Sequence, residues 1–254
     1  MLNLLKNIPK GFKLLCSVRV FKHYIKDLEA ARAVGDFEKE RAVVAEGGHR
    51  WASTVADMFD MRINVVGIEN IPKDGAVVFI SNHQGYADIP AFFYALKDRS
   101  VGFVAKDNFE KIPYLRKLVG YIRGVFIKRG DPREALKSIN EGVETLKQGF
   151  SLVIFPEGTR SRGGEMKDFK PGSFKLATKA KVPIVPVTIN GTYKIFEETG
   201  VIKGGDVDFV FHPAIDTASL DRHQVASLIG DVEDTIRTTL DQLVLKDKMR
   251  NEKE

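Results

Sequence analysis

The sequence predicts an α/β domain: a mixed sheet flanked by helices and preceded by an N-terminal helical hairpin. Three observations carry this. Up to Arg62 the apolar side chains recur at helical spacing. From Ile63 onward, short runs rich in Val, Ile and Phe alternate with helical stretches, the pattern of strands layered with helices. Near the end, Val225, Leu228, Val232, Ile236, Leu240 and Leu243 mark one long amphipathic helix over about 224–245. The expected divisions are a two-helix segment at 1–62, an α/β domain at 63–245 and a disordered tail at 246–254. A chain of 254 residues is long enough to bury a sizeable core in one large domain.

The first 26 residues hold no acid and carry Lys6, Lys10, Lys13, Arg19, Lys22 and Lys26 among Leu4, Leu5, Ile8, Phe12, Leu14 and Leu15. No run reaches the roughly 18 uncharged apolar residues a membrane-spanning helix needs, and no small-residue cleavage site follows. An interfacial helix and a basic helix packed on the domain both fit this pattern. A second helix is expected over 37–62, with Val44, Trp51, Val55, Met58 and Phe59 on one face and a weak point at Gly47-Gly48. His49 has no acidic or thiol partner at ligand spacing and reads as a bystander. The hairpin serves equally as a membrane-docking appendage or as the first layer of the fold.

Strands are expected at 63–66, 76–80, 101–105, 125–127, 152–155, 184–189 and 207–211. A short helix fits 89–96. Another runs from Asp131 as N-cap and Pro132 at its first position to about Lys147, with Leu136, Ile139, Val143 and Leu146 inward. Val182-Pro183-Ile184-Val185-Pro186-Val187 carries two prolines, which argue for an edge strand or a groove wall rather than a paired interior strand.

Composition narrows the function classes. With 43% hydrophobic and 29% charged residues, the chain is globular rather than disordered. The single cysteine, Cys16, cannot form an internal disulfide, which favours a reducing compartment and removes Cys-based zinc and CxxC chemistry. There is no GxSxG elbow, HExxH zinc motif, P-loop or GxGxxG, so Ser hydrolases, metalloproteases and nucleotide enzymes are disfavoured and no metal is expected. A net charge of +5 suits an anionic partner, but no basic stripe interleaved with aromatics supports nucleic acid.

Chemistry concentrates in Ser81-Asn82-His83-Gln84-Gly85-Tyr86-Ala87-Asp88, directly after an apolar strand. A strand feeding a Gly-containing turn and a helix presents side chains at the rim of a sheet. On a continuous helix His83 and Asp88 would point roughly 140° apart. They meet only if 84–87 form a turn, and Asp88 could then fix the imidazole tautomer and leave the other nitrogen as a general base. The alternative is Asp88 as an ordinary N-cap ahead of Ile89-Pro90. A second strand ends in Phe155-Pro156-Glu157-Gly158-Thr159-Arg160-Ser161. There Gly158 allows a sharp turn, Thr159 can donate hydrogen bonds and the forked Arg160 suits a phosphate, although a charged surface loop also explains the residues. Arg129, in Ile127-Lys128-Arg129, reads as a further cation at a strand end.

Together, Asn82-His83-x4-Asp88, the element ending in Ile127-Lys128-Arg129, Phe155-Pro156-Glu157-Gly158-Thr159-Arg160-Ser161 and Val182-Pro183-Ile184-Val185-Pro186 resemble the four ordered blocks of the glycerolipid acyltransferases with the HxxxxD motif. The likeness is nearest to the branch acting on 1-acyl-sn-glycerol 3-phosphate. The blocks span about 65–188 and leave the N-terminal hairpin and the last helix uncovered. One departure stands in the second block, where the pattern's glycine falls on Arg123, with Gly124 one residue nearer.

The resemblance implies transfer of a fatty acyl group from a thioester, on coenzyme A or acyl carrier protein, to the sn-2 hydroxyl of lysophosphatidic acid, giving phosphatidic acid. It implies His83 as general base and Asp88 as its orienting partner. Lys106, Arg129 and Arg160 would bind phosphate, with Thr159 also in the substrate site, and Glu157 and Gly158 would shape the glycerol pocket. No cofactor is implied beyond the acyl donor. Such a substrate further implies a peripheral or monotopic protein on an anionic membrane surface, at the cytoplasmic face. Acylation of glycerol 3-phosphate or another lysolipid is the alternative within the class. A non-catalytic anionic-lipid-binding protein is the alternative outside it.

Overall fold

The computed structural model describes residues 2–128 and 131–252, with the side chains of residues 2–6, 132, 222 and 251 outside that description. Arg129, one of the expected phosphate ligands, lies outside the described residues.

The N-terminal hairpin is built from three helices. α1 (Leu2–Ser17) continues through a 3-10 turn (Val18–Phe21) into α2 (Lys22–Ala33), and α3 (Phe37–Met58) runs back along them. Gly35 takes a left-handed φ of 70° at the reversal, and Asp36 caps α3 by accepting from the Lys39 amide at 2.9 Å. Gly47-Gly48, expected as a weak point, is also where aromatic neighbours pack close. A Cβ at Gly47 would meet the Tyr24 ring at 3.1 Å, and one at Gly48 would meet Phe93 at 2.5 Å. What the glycines cost in helix propensity they return in close packing. Because Ala52, Val55 and Ala56 of α3 share a core cluster with Phe92 and Phe93, α3 is itself a layer of the domain.

The expected seven strands all form, as β1 (Met61–Val66), β2 (Val78–Ser81), β3 (Val101–Lys106), β4 (Val125–Ile127), β5 (Ser151–Ile154), β6 (Ile184–Asn190) and β7 (Gly205–Phe211). They make one mixed sheet in the order β1-β7-β6-β2-β5-β3-β4. β7 runs antiparallel to β6 and parallel to β1, while β6, β2, β5, β3 and β4 are mutually parallel. Consecutive residues of β2 and its lead-in serve opposite faces: Val77 and Phe79 pack towards α3 and α4 (Asp88–Ala95), and Val78 and Ile80 towards the other side. That second face is covered by α6 (Pro132–Lys147), α7 (Lys175–Ala180) and α8 (Arg222–Asn251). α5 (Pro113–Tyr121) lies in the β3–β4 connection.

Two expectations are corrected. β6 is an interior strand, buried along its whole length between β7 and β2. Its prolines fit because Pro183 precedes the strand, and Pro186 lies just short of the β6–β7 ladder, which begins at Val187 opposite Phe211. The carbonyls of both are still used, accepting from the amides of Val78 and His212, each at 2.9 Å. The last helix also continues past residue 245 to Asn251. Asp247 explains this, since its carboxylate is buried and receives Asn190 Nδ2 at 3.0 Å and Lys194 Nζ at 2.6 Å. No described helix is long and apolar enough to cross a membrane.

Candidate active site

The parallel strands deliver their C-terminal ends to one rim, and β2 and β5 are neighbours there. After Ser81 the chain leaves β2 through Asn82, whose side-chain amide pairs with Ile189 of β6 in both directions, at 2.8 Å each way. That reciprocal pair pins the turn before it reaches His83. Residues 84–87 then form the turn required for residues 83 and 88 to meet, closed by the Asp88 amide on the Gly85 carbonyl.

His83 Nδ1 lies 2.6 Å from Asp88 Oδ2. The same oxygen accepts the amides of Gln84 at 2.8 Å and Gly85 at 3.1 Å, while Oδ1 accepts the Thr192 hydroxyl. These bonds point back into the turn. The geometry therefore decides against Asp88 as an N-cap and makes it the hub of the loop. An ionised carboxylate only accepts, so the His83 tautomer that satisfies this pair carries its proton on Nδ1. Asp88 is fully buried, whereas the His83 side chain keeps 19% of its surface exposed. Phe155 stacks flat on the imidazole at 4.0 Å and 14°, fixing its plane.

The second polar cluster runs alongside the first. The amides of Ser161 and Arg162 donate to the carbonyls of His83 at 2.8 Å and Gln84 at 3.1 Å, so the two loops are joined backbone to backbone. Gly158 takes a φ of 68°, which makes the sharp turn. Thr159 is exposed and Arg160 half-buried at the same rim. The Arg160 guanidinium covers the Tyr86 ring at 3.6 Å and pairs with Glu197 at 2.7 Å.

Glu157 is buried in these loops. Its carboxylate turns into the protein, where Oε1 accepts the His83 amide at 2.6 Å and Oε2 the Lys167 amide at 3.0 Å. Burial pushes its carboxyl above the usual range, partly offset by those two donors. The residue thus braces the loop that carries His83. Lys106 ends β3, two strands from β2, and is exposed. Of the residues singled out in the sequence, His83, Asp88, Glu157, Gly158, Thr159 and Arg160 fall in the two joined loops. Lys106 lies at the C-terminal end of β3, the strand paired with β5, and Arg129 lies outside the described residues.

Thr192 and Glu197 were not anticipated. Both follow β6, in a segment opening with Asn190-Gly191-Thr192, polar residues at the end of a buried apolar strand. The rule that singled out the ends of β2 and β5 applies here too, and the prolines of β6 obscured it. Two other histidines have partners elsewhere: His49 lies against the Tyr94 carbonyl at 3.2 Å, and His212 meets the Thr188 hydroxyl at 2.8 Å. Burial lowers the pKa of His212. Among the described residues no cluster of His, Cys, Asp and Glu could hold a metal ion.

Three comparisons bear on this geometry. A family model described as Acyltransferase matches residues 62–190, which run from the second residue of β1 to the end of β6 and include both joined loops. The chain is 36% identical over 176 residues to a chloroplastic 1-acyl-sn-glycerol-3-phosphate acyltransferase of Arabidopsis thaliana, covering 67% of this chain and 48% of that protein. It is 32% identical to the 1-acyl-sn-glycerol-3-phosphate acyltransferase of Borreliella burgdorferi, covering 72% of this chain and 73% of that one. It therefore spans about half the length of the plant relative and nearly three quarters of the bacterial one. The crystal structure of the 1-acyl-sn-glycerophosphate acyltransferase PlsC from Thermotoga maritima superposes with a TM-score of 0.76 at 29% identity, covering 95% of both chains. With the model match over half the chain, a bacterial relative aligned across most of its length and a shared fold from end to end, this chain belongs to the Acyltransferase family.

Proposed function

We propose that the protein transfers a fatty acyl group from an acyl thioester, on coenzyme A or acyl carrier protein, to the sn-2 hydroxyl of 1-acyl-sn-glycerol 3-phosphate, giving phosphatidic acid. The observation that carries this reading is the buried, multiply held Asp88 at 2.6 Å from His83 Nδ1, joined through the backbone to the loop of Arg160. The names of the relatives supply the acceptor.

In this mechanism His83 Nε2 removes the proton of the sn-2 hydroxyl as its oxygen attacks the thioester carbonyl carbon. The new C–O bond forms, the tetrahedral adduct collapses with cleavage of the C–S bond, and the departing thiolate takes the proton back from the imidazolium. Phosphatidate and free thiol leave, and no acyl-enzyme is formed. A general base so placed contributes about 10²–10⁴-fold. Asp88 steadies the transient imidazolium and holds the tautomer. Arg160 binds the acceptor's phosphate, joined by Lys106 and Arg129 where they reach it, and Gly158 and Thr159 border the same pocket. Glu157 acts on the reaction through the His83 backbone.

The acceptor resides in a bilayer, and α1 suits docking at its surface. Ile8, Phe12 and Leu15 recur at helical spacing and are 58%, 66% and 62% exposed, with Lys13 and Arg19 exposed nearby. Burying such a face contributes roughly 25 cal/mol per Å², and each basic residue near anionic headgroups about 1 kcal/mol. Lys10 is set aside from this role, because its ammonium donates to the Ile202 carbonyl at 2.5 Å.

The test is a mass-spectrometric product assay in which purified protein receives lysophosphatidate, glycerol 3-phosphate or a lysolipid without a terminal phosphate, each with acyl-CoA and acyl carrier protein donors. Phosphatidate formed from lysophosphatidate is the expected dominant product. Preferential acylation of either other acceptor would replace the substrate assignment.

A further inference from the structure

Resting on the reading of Arg160 as the phosphate ligand, we infer that Glu197 is the positioning residue for that guanidinium. Glu197 sits just after the 3-10 turn that follows β6, and its side chain is 3% exposed. One oxygen, Oε1, accepts both from Arg160 Nη1 at 2.7 Å and from the Tyr86 amide at 2.8 Å. Oε2 is buried with no hydrogen-bond partner among the described residues. It fits against Gly85, where a Cβ would come within 2.5 Å of it.

These facts form one device. A carboxylate removed from water needs a counter-charge, and Arg160 is the cation that supplies it, so the pair is held firmly together. The Tyr86 ring under the guanidinium, at 3.6 Å, fixes the plane in which the fork lies. Of the five N–H groups of an arginine, one is engaged by Glu197, and the rest of the fork stays available for a bidentate phosphate contact. Tyr86, at the middle of the turn between His83 and Asp88, is tied to the same carboxylate, so the spacing between the base and the phosphate ligand is set through Glu197. Acceptor binding then begins from an oriented guanidinium rather than a free side chain.

The experiment is steady-state kinetics on 1-acyl-sn-glycerol 3-phosphate with Glu197→Ala, Glu197→Gln, Arg160→Ala and the double variant Glu197→Ala/Arg160→Ala, each checked for folding by thermal melting. Glu197→Ala should raise KM about tenfold with kcat changed less than about threefold, as expected for lost uniform binding. Glu197→Gln, which keeps an oxygen for both donors, should fall between wild type and alanine, and it carries the test alone if the alanine variant does not fold. Arg160→Ala should raise KM further, and adding Glu197→Ala to it should change KM by less than about twofold, because the second residue acts only through the first. A KM that is unchanged or lowered by Glu197→Ala, the latter meaning that the carboxylate competes with substrate, would overturn the inference. So would a double variant whose losses multiply. If Arg160→Ala itself leaves KM unaltered, the phosphate-ligand reading fails and takes the inference with it. A raised KM in Arg160→Ala beside an inert Glu197→Ala removes Glu197 alone.

Discussion

At the scale of single residues, the proposed chemistry rests on how completely Asp88 is occupied. Four donors converge on its two oxygens, from His83, Gln84, Gly85 and Thr192. Asp88→Asn puts an amide among donors that need acceptors, so kcat should fall at least about 10²-fold in single-turnover assays while the melting point drops. Thr192→Ala removes one charge-assisted bond, worth about 1.5–3 kcal/mol, and Thr192→Ser should restore activity. Equal activity of the alanine and serine variants would separate Thr192 from the site.

Glu157 gives a pH signature. Its folded-state pKa lies above the ordinary value of 4.5, so between the two the native state binds more protons than the unfolded one. Its contribution to stability therefore falls as pH rises from about 4.5 through the raised value. Denaturant midpoints measured across that window should slope less in Glu157→Gln than in wild type. Matching slopes would show that Glu157 titrates normally. His83 and Asp88 were legible in the sequence because a Gly-containing turn after a buried strand can bring them together. The inward turn of Glu157 was not, since its partners are the backbone amides of His83 and Lys167, which no residue type announces.

At the scale of elements, the N-terminal helices are locked to the sheet by a buried ion cluster. Glu40 of α3 is fully buried and accepts from Arg32 of α2 at 2.6 Å and from Arg123, just before β4, at 2.7 Å through both Nε and Nη2. Arg32 also reaches the carbonyls of Gly120 and Tyr121, at the end of α5. Burial alone would raise the Glu40 carboxyl, but its bonds and charge interactions with Arg123 and Arg32 outweigh this and hold it below the ordinary value. The stability it contributes is present above its unfolded pKa and is lost as pH falls through the lowered folded value. Glu40→Ala, which strands two arginines, should cost about 3–5 kcal/mol by chemical denaturation at neutral pH. A loss below 1 kcal/mol, the scale of an exposed pair, would mean that solvent reaches the cluster.

Arg123 stands where the second block of the resembling family carries glycine, and it has a φ of 55°, the left-handed conformation that glycine adopts most easily. The structure thus accounts for the departure, with a strained arginine kept in place by Glu40. Strand positions were readable throughout because apolar runs of this length bury in a sheet whatever their neighbours. The interior place of β6 was not readable, since it depends on where the β7 ladder begins.

At the scale of the whole molecule, the segment proposed to dock on a membrane is packed onto the domain. α1 is tethered to the turn before β7, with Asn7 bonded to the Gly200 carbonyl at 2.6 Å and the Ile202 amide at 2.9 Å. Trp51 of α3 donates to Ser17 Oγ at 3.0 Å. Docking is therefore best tested with Ile8→Glu/Phe12→Glu, which alters the exposed face and spares these contacts. The variant should lose most co-sedimentation with anionic liposomes, and high salt should weaken wild-type binding without abolishing it. Undiminished liposome binding by the folded variant would move the docking surface elsewhere.

The central claim is that His83, oriented by Asp88, deprotonates the acceptor hydroxyl. The most direct measurement is the rate of phosphatidate formation by His83→Ala, alongside its affinity for lysophosphatidate. A fall in kcat of about 10²–10⁴-fold with affinity within a few-fold of wild type is the predicted result. Turnover close to wild type in the folded variant would contradict it.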